Sequence, residues 1–538
     1  RRVELAFGTQ PRALLERAAR LPETLLPPTV GKLWGHRDLL TTLGRVGLRR
    51  SRTAPVLERV ETPGRLSRLP ILTTWPQDGG PFITLGQVYT EHPEGRGHNL
   101  GLYRLHVYDE TTTGMHWQIG KGGGFHHAAA EAAGKPLPVA VFLGGPPALI
   151  LSAIAPLPEN VGELLLASLL LGEKLPVAES DLSPLPIVAE AEFALIGQVP
   201  ASERRAEGPF GDHYGYYSLA HDYPVFRLEA LCHRKDPIYP ATVVGKPRQE
   251  DFYLGDFLQE LLSPLFPVVM PSVRDLWSYG ETGYHSLSAA VVHQRYKREA
   301  LVSAFRILGE GQLSLTKFLL VLDAPGDLKD FRRVLMEVLR RCDFRTDLYV
   351  LGNLSMDSLD YAGPRINEGS KGILLGIGEP IRELPAALHV PPPPGCRDAK
   401  VFCPGCLVLE APRFPAGTTP GQPASDVAQI LSYPGLTGWP LVVLTDDAAR
   451  ATRSVFNFLW STFTRFEPAA DLHGRKVELV RSHPCFTPPV ALDARMKPWY
   501  PEELFCDAET AAKVRDRWKE YFPEGGVEVG DSDRAHLD

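Results

Sequence analysis

The segment at residues 99–127 concentrates side chains that could bind a carboxylate and an anion. It reads NLGLYRLHVYDETTTGMHWQIGKGGGFHH. The planar guanidinium of Arg104 can donate two parallel hydrogen bonds to one carboxylate. The glycine run that starts at Gly122 lets backbone amides approach an anion such as a phosphate closely, and Lys121 adds positive charge. Taken alone, Arg104 is explained more simply as a solvent-facing residue on a strand.

Two acidic segments further along the chain could complete such a site. AEGPFGDHYGYYS, residues 206–218, has Glu207 at the entry to tight turns, where a fixed carboxylate can ligate a hard cation through oxygen. GKPRQEDFYLGDFLQELLSPLF, residues 245–266, carries Asp251 and Asp256, and Asp256 comes just after a glycine where an apolar helix is predicted to begin. Each segment alone is explained more simply by a surface turn or by solvated acids in the first turn of a helix.

The composition is typical of a soluble globular protein with more than one domain. The chain has 538 residues, which is too long for one core, and 44% of them are hydrophobic and 22% charged. The net charge of -7 predicts no nucleic-acid partner and no general affinity for anionic membranes. The longest apolar stretch, residues 137–155, is interrupted by Gly-Gly-Pro-Pro, which predicts a buried strand, a tight turn and a helix start rather than an integral membrane segment.

The cysteine content favours a reducing compartment. Seven cysteines are an odd and low number for a disulfide framework, and no signal peptide is visible, so we expect a cytoplasmic protein. Cys403 and Cys406 form one CxxC pair with Cys396 nearby. Because a single CxxC without a second pair is weak evidence for zinc, buried or loop positions are favoured over a metal or redox role.

The hydrophobic pattern changes along the chain and predicts four parts. Residues 1–95 mix helical segments, such as RALLERAARL, with proline-rich loops, and short strands separated by turn signals follow. Beyond about residue 300, buried strands alternate with amphipathic helices, which indicates parallel α/β structure. The predicted parts are an N-terminal α/β region at 1–95, a β-rich domain at 96–300, a linker helix at 301–319 and a C-terminal α/β domain at 320–538.

Taken together, the segments resemble the UbiD family of decarboxylases, which use prenylated FMN. The resemblance runs from residue 99 to GSKGILLG at residues 369–376, and more loosely beyond. It rests on four motifs in order: N-x-G-x-Y-R, MHWQ with a basic glycine-rich run, EGPFGDHYGYY and GKP-x-x-ED-x-x-LG-D. It implies an α+β and α/β multidomain fold, with a central split β-barrel flavin-binding domain similar to flavin reductases and a C-terminal α/β domain for oligomerisation. A homodimer or a multiple of it is expected on the same basis.

The resemblance assigns functions residue by residue. Asn99 and Glu207 match ligands of a divalent metal, Mn²⁺ or Mg²⁺, that holds the cofactor phosphate, and K⁺ is a further candidate. Arg104, Asp251 and Asp256 match a catalytic network in which Asp251 pairs with Arg104. Asp256 would deliver the proton that replaces the carboxylate. The matching cofactor contacts are Leu102, Tyr103, Arg104, His116, Trp117, Gln118, Lys121, Gly122 and Lys371.

The implied reaction is the reversible non-oxidative decarboxylation of a small aromatic or α,β-unsaturated carboxylic acid. A flavin prenyltransferase would supply the cofactor. Some relatives have a histidine as third metal ligand where this chain, like other relatives, has Gly122, and neither His126 nor His127 is in register to replace it. DSLDYAG, SKGILLG and GEPIRELP resemble a branch assigned to menaquinone synthesis through dihydroxynaphthoate.

Two other functions stay open at the level of sequence. An FMN-binding oxidoreductase of the flavin-reductase type would keep the phosphate site but would have no use for the acid pair. A non-catalytic subunit of a carboxylase complex would be expected to lose the catalytic set, and this chain retains Arg104, Asp251 and Asp256.

Overall fold

The computed structural model describes residues 11–20, 41, 44–118, 122–157, 162–246, 248–529 and 537. Contacts divide the chain into two compact units. The first consists of Arg1–Asp212, Tyr217–Val244 and Gln249–Leu265. The second consists of His213–Tyr216, Gly245–Arg248 and Phe266–Asp538.

The first unit is built around a large, mostly antiparallel sheet. Its described strands are β1 (Leu48–Arg50), β2 (Arg59–Glu61), β3 (Phe82–Ile83), β4 (Gln87–Glu91), β5 (His98–Leu102), β6 (Leu105–His106), β7 (Thr112–Gly114), β8 (Leu137–Leu143), β9 (Leu175–Ser180), β10 (Ser183–Val188), β11 (Phe193–Val199), β12 (Arg204–Glu207) and β13 (His221–His233). Its described helices are α1 (Pro11–Ala19), α2 (Gly122–Ala132), α3 (Pro147–Ile154), α4 (Glu163–Leu171) and α5 (Glu250–Leu262). The eight-stranded sheet has the order β12-β13-β11-β8-β4-β5, and β2 and β7 also pair with β13.

Both faces of this sheet are covered by hydrophobic clusters, because successive side chains along a strand point to opposite faces. Ala140 and Phe142 of β8 pack in a cluster with residues of α3, α4 and α5, whereas Val139 and Val141 face a second cluster. The period of two places successive side chains on opposite faces, so a fully apolar strand is buried on both. The hydrogen-bonded path from β12 to β5 is open, and no closed barrel is seen among the described strands.

Two local predictions are confirmed in this unit. The apolar stretch after residue 136 forms the strand β8, a turn at Gly144 and Gly145 with positive φ, and the helix α3. The first eight residues of RALLERAARL lie on α1, which ends at Ala19. The predicted boundary at residues 95 and 96 differs from the structure, because it cuts the turn of the β4–β5 hairpin, whose strands pair from Gln87↔Leu102 to Glu91↔His98.

The second unit contains two α/β sheets. Its described strands are β14 (Val273–Ser278), β15 (Leu287–Val292), β16 (Phe318–Leu322), β17 (Leu348–Leu354), β18 (Gly369–Gly376), β19 (Asp398–Cys403), β20 (Cys406–Glu410), β21 (Leu441–Thr445), β22 (Leu472–Val480) and β23 (His483–Asp493). Its described helices are α6 (Phe266–Val269), α7 (Glu299–Leu308), α8 (Phe331–Arg341), α9 (Val427–Leu431), α10 (Ala448–Thr452), α11 (Val455–Phe463), α12 (Pro468–Asp471), α13 (Ala508–Asp516) and α14 (Trp518–Tyr521).

The two sheets have the same topology. Their strand orders are β14-β15-β16-β18-β17 and β19-β20-β21-β23-β22, and in both the outer pairs are antiparallel and the inner pairs parallel. A matching contact supports the correspondence. Asp323, after β16, accepts a hydrogen bond from the backbone N–H of Gly378, and Asp446, after β21, accepts one from the backbone N–H of Met496. The second unit therefore contains a structural repeat, which no short sequence repeat indicates.

The predicted linker helix at 301–319 is a crossover helix in the structure. Helix α7 connects β15 to β16, which are parallel neighbours in one sheet, so it belongs inside a βαβ unit. Strands β14 and β15 also lie in the second unit, whose longest continuous segment begins at Phe266 rather than near residue 300 or 320. The sequence misled because β15, buried along its whole length, resembles the strands of the β-rich region that precedes it.

The CxxC pair occupies a hairpin. β19 ends at Cys403 and β20 begins at Cys406, and the two residues pair across a turn that contains Gly405 with φ +85°. Both side chains lie in the hydrophobic core, and burial raises the pKa of the Cys403 thiol to about 12. All seven cysteines are free thiols. These positions fit a core role better than a metal or redox role.

Within the part of the chain that the structure describes, no helix has both the length and the apolar character needed to cross a bilayer.

Candidate active site

An ion pair joins the two ends of the eight-stranded sheet. Arg104 lies two residues beyond β5, at one end of the strand order, and Glu207 ends β12 at the other. Nε of Arg104 donates a hydrogen bond to Oε1 of Glu207 over 2.9 Å. The side chains are 9% and 0% exposed, so this pair is sheltered from water. Sheltering strengthens the attraction relative to a surface ion pair.

Each of the three guanidinium nitrogens of Arg104 donates a hydrogen bond. Nη1 donates to Asp212, Nη2 donates to Oγ of Ser218 over 3.2 Å, and the ring of Phe210 lies 4.7 Å from the guanidinium carbon. Burial opposes the charge, but Glu207 and Asp212 outweigh it and raise the pKa of Arg104 above its usual range. Arg104 is therefore a fixed, permanently charged group.

Glu207 has one occupied and one open carboxylate oxygen. Oε1 accepts hydrogen bonds from Arg104 and from Nδ1 of His116, the latter over 2.8 Å. Oε2 is buried and has no hydrogen-bond partner among the described residues. Burial alone would raise the pKa of Glu207, but His116 and Arg104 reverse the effect and lower it to about 2. A buried, ionised oxygen without a donor is suited to a cation.

The second predicted metal ligand packs on the glycine run. Asn99 is on β5 and 9% exposed, and a Cβ atom on Gly122 would lie only 2.2 Å from its Oδ1. A Cβ atom on Gly123 would lie 2.5 Å from Nε1 of Trp117. Only glycine at these positions lets the first turn of α2 approach Asn99 and the indole so closely. The N-terminus of α2 carries no acidic residue in its first turn, which keeps it suited to an anion.

The remaining predicted cofactor contacts in the first unit differ in burial, and one of them lies outside the described residues. Tyr103 is buried, its hydroxyl is near Asn99 and the backbone of Gly123, and burial raises its pKa to about 12. Leu102 ends β5, and both it and Gln118 are half-buried. Lys121 lies outside the described residues.

Asp251 and Asp256 both lie on α5, which corrects the predicted start of that helix. α5 begins at Glu250, not after Gly255, so no turn separates the two acids. Five residues along an α-helix rotate a side chain by about 140°, so the two carboxylates project in different directions. The acids that hold Arg104 in this structure are Glu207 and Asp212. The pairing of Arg104 with Asp251 stays a prediction.

Lys371 lies on β18 of the second unit. Its Nζ donates to the carbonyl oxygen of Thr316 over 2.9 Å, and burial lowers its pKa to about 8 despite the nearby Asp360 and Asp357. Its contact with a phosphate stays a prediction.

Three residues in the hydrogen-bond network around Arg104 and Glu207 have functions in the structure that the sequence does not predict. Asp212 and Ser218 lie within EGPFGDHYGYYS, where only the turns and Glu207 stand out, and His116 matches only a cofactor contact. The available signal is the presence of polar residues in a glycine-rich turn. Their convergence on Arg104 depends on pairing between strands far apart in sequence.

The residues present fit a polar cofactor with a metal ion. Buried side-chain atoms without a hydrogen-bond partner in the described part of the chain include Asn99 Nδ2, His116 Nε2, Trp117 Nε1 and Glu207 Oε2. Buried polar groups are almost always paired, so unpaired atoms on four of the predicted site residues indicate a polar ligand. An amide and a carboxylate supply the oxygen donors that Mg²⁺ and Mn²⁺ prefer.

Comparison with protein families defines the class. Residues 48–247 match the model described as the 3-octaprenyl-4-hydroxybenzoate carboxy-lyase Rift-related domain, and residues 252–376 match the corresponding C-terminal domain. The chain belongs to the UbiD family, and it is a carboxy-lyase.

Similar proteins and structures support this assignment. A Chlamydia pneumoniae protein, named as a subunit of 4-hydroxybenzoate decarboxylase, is 48% identical over 97% of this chain and 88% of its own length. A Chlamydia trachomatis protein is 50% identical, with 97% and 89% covered. Vanillic acid decarboxylase from Sedimentibacter hydroxybenzoicus, in closed form, aligns with a TM-score of 0.60 and 26% identity over 67% of this chain and 79% of its own. The UbiD-class enzyme HmfF from Pelotomaculum thermopropionicum, in complex with FMN, aligns with a TM-score of 0.55 and 25% identity, covering 64% and 78%.

Proposed function

We propose that this protein uses prenylated FMN to decarboxylate a small aromatic or α,β-unsaturated acid reversibly and without net oxidation. The observation that carries the proposal is the buried network of Arg104, Glu207 and His116 with an open carboxylate oxygen. Two solved structures of one relative, HmfF, support the cofactor, since one contains FMN and the other, of an evolved dimeric form, contains prenylated FMN. In this proposal the open eight-stranded sheet is the flavin-binding split barrel.

Residues of the first unit would hold the cofactor and its metal. Asn99 and Glu207 would ligate Mn²⁺ or Mg²⁺ at the cofactor phosphate, with K⁺ a further candidate ion. The amides at the start of α2 would bind phosphate oxygens. His116, Trp117 and Gln118 would supply a flat surface and donors for the flavin ring, with Leu102, Tyr103 and Lys121 as further contacts.

The protein's side chains would orient the acid and manage its proton. When bound, prenylated FMN supplies an electron sink for the electrons left behind as carbon dioxide departs. Arg104 is held in place by two carboxylates, and its weakest partner is the neutral hydroxyl of Ser218. A substrate carboxylate would replace this hydroxyl at Nη2, because an ionised acceptor binds a guanidinium more strongly than a neutral one.

Asp256 would protonate the carbon that loses its carboxylate. An ordinary aspartate is ionised near neutral pH. Asp256 would carry a proton only if the bound cofactor and the apolar part of α5 exclude water from it and so raise its pKa. Asp251 would pair with Arg104 and set its position. The two acids project from α5 in different directions. This arrangement favours separate functions for Asp251 and Asp256 over one shared function.

Dihydroxynaphthoate in menaquinone synthesis is the substrate that we favour. This choice rests on the resemblance of three sequence segments to the menaquinone branch, namely DSLDYAG, SKGILLG and GEPIRELP. Cytoplasmic location and assembly as a homodimer or a multiple of it stay predictions from the sequence.

The decisive experiment identifies flavin and reaction together. The chain is produced alongside a flavin prenyltransferase, the extracted flavin is weighed by mass spectrometry, and carbon dioxide release is measured on aromatic and unsaturated acids. We expect the heavier, prenylated flavin and release from at least one acid. Unmodified FMN, together with oxidation of a nicotinamide cofactor, would instead identify a flavin-reductase type of oxidoreductase.

A second candidate is a subunit of a larger decarboxylase. The Chlamydia pneumoniae relative favours it, because that protein is named as one subunit of its enzyme. If the cofactor-loaded chain, purified to homogeneity, releases carbon dioxide without any other protein, a non-catalytic role is contradicted.

A further inference from the structure

Two imidazoles and a carboxylate meet in the second unit, at residues that the proposed reaction does not use. They belong to His213, His285 and Asp357. One potential ligand atom from each lies within 4.8 Å of the other two. Asp357 is buried, whereas both histidines are partly exposed, so the cluster has a closed side and an accessible side.

The local backbone fixes the carboxylate and one imidazole. Oδ1 of Asp357 accepts a hydrogen bond from the backbone N–H of Leu359 over 3.0 Å, and Oδ2 is directed at Nδ1 of His285. His285 follows Tyr284, whose φ is +64°, and its carbonyl oxygen accepts a hydrogen bond from the backbone N–H of Lys317 over 2.8 Å. His285 therefore has its position set from two sides.

The third group approaches from another part of the chain. The ring of His213 stands edge-on to the ring of His285, with 6.4 Å between the centroids and planes at 86°. Edge-on rings can direct their nitrogens toward a common point, which stacked rings cannot. The three residues come from the turn after Asp212, the connection before β15 and the connection between β17 and β18.

Nearby charges leave the carboxylate available to this cluster. Nζ of Lys317 lies 2.6 Å from the carboxylate of Asp360, and Nζ of Lys371 donates to the carbonyl oxygen of Thr316. Both lysines thus have their own acceptors.

The donor set selects the kind of ion. Imidazole nitrogen suits Zn²⁺, Co²⁺, Ni²⁺ and Fe²⁺, whereas Mg²⁺ and Ca²⁺ prefer oxygen alone. Bonds of about 2.0–2.2 Å place neighbouring ligand atoms roughly 3.0–3.5 Å apart. Nδ1 of His285 and Oδ2 of Asp357, which are in hydrogen-bonding contact, would therefore separate slightly, and the nitrogen of His213, within 4.8 Å of both, would close the remaining gap. Three protein ligands leave at least one coordination position for water or a substrate oxygen.

We propose that His213, His285 and Asp357 form a binding site for a borderline divalent transition-metal ion with an open coordination position. The ion replaces the proton between His285 and Asp357. The site uses none of the residues proposed to hold Mn²⁺ or Mg²⁺, and it does not depend on the decarboxylation.

Cobalt binding to the full chain tests the site without any activity assay. The protein is freed of metal with a chelator and titrated with Co²⁺, whose visible absorption reports nitrogen ligation. We expect one equivalent with such absorption, displaced by Zn²⁺, in the parent and in Glu207→Gln. His213→Gln and Asp357→Asn should each weaken binding by at least about 100-fold, because each removes a direct ligand. The exposed His389→Gln is the matched control and should bind as the parent does.

A variant that gains a signal distinguishes the loss of a ligand from misfolding, because a misfolded protein would not produce the new absorption. His213→Cys keeps three ligands and should add sulfur-to-cobalt charge-transfer absorption in the near ultraviolet. Absence of visible cobalt absorption in the parent overturns the proposal. So does equal loss in His389→Gln, or a parent-like spectrum in His213→Cys.

Discussion

Arg104 donates from Nε to Oε1 of Glu207 over 2.9 Å, and the other oxygen of the same carboxylate, Oε2, is buried without a hydrogen-bond partner among the described residues. One carboxylate therefore serves two purposes. Oε1 links the end strands of the large sheet, and Oε2 is the oxygen that we propose binds the metal ion. Changes at this residue should affect both stability and cofactor retention.

Glu207→Gln should destabilise the first unit and release the cofactor. Breaking a buried ion pair costs about 3 kcal/mol, since the remaining charge keeps its desolvation penalty. Chemical denaturation and the flavin and metal content after gel filtration measure the two effects. The control is Glu203→Gln, whose pair with Arg227 is partly exposed and should contribute less than about 1 kcal/mol. Full flavin and metal occupancy in Glu207→Gln would remove this residue from the metal site.

The same carboxylate should make stability fall in acid. The pKa of Glu207 is lowered from 4.5 to about 2, so the folded state holds the charged form at pH values where the unfolded state takes up a proton. Its contribution is complete above about pH 4.5 and is lost as the pH falls toward about 2, on the order of 3 kcal/mol in total. Unfolding free energies measured between pH 6 and pH 3 should fall less steeply in Glu207→Gln than in the parent. Parallel curves would contradict the assignment.

Gly122→Ala should disturb the cofactor site through Asn99. The new methyl group would lie 2.2 Å from Oδ1 of Asn99, and overpacking of this kind costs about 1–3 kcal/mol. We expect a lower melting temperature and reduced flavin retention. Gly326→Ala is the control, because a methyl group there meets open space. Equal flavin retention in both variants would show that Asn99 can move away without loss.

Asp256→Asn should stop turnover and leave metal and flavin in place. General acid catalysis by a positioned group contributes about 10²–10⁴-fold, so the rate should fall by that factor or more. Hydrogen exchange at the carbon that loses its carboxylate, followed on the product in deuterated buffer, isolates the protonation step. If Asp256→Asn exchanges at the parent rate while Asp251→Asn does not, the functions of the two acids are reversed.

The CxxC pair should be inert in the folded protein. Cys403 and Cys406 are buried and their thiol pKa values are raised by burial, whereas Cys506 is exposed. A maleimide should label Cys506 first and reach the pair only after unfolding. Mass spectrometry of partly labelled protein locates the sites. Rapid native labelling of Cys403 or Cys406 would contradict their core position.

Local signals in the sequence are sufficient for several elements. The apolar stretch around Gly144 forms a strand, turn and helix, and the amphipathic stripe of Phe331, Val334 and Leu335 forms α8. The UbiD motifs are sufficient to identify the family. Each of these inferences depends on residues close together in the chain.

Tertiary structure decided which strands share a sheet and which side chains meet. Hydrophobic periodicity fixes the face of a strand but not its neighbour, so the assignment of β15 to the second unit and the repeated topology of the two sheets were not visible in the sequence. Asp212 and Ser218 meet Arg104 only because chain segments more than 100 residues apart are brought together. The sequence by itself determined the family and the residue types of the site, whereas long-range strand pairing and burial decided which carboxylates hold Arg104 and which oxygen of Glu207 stays open.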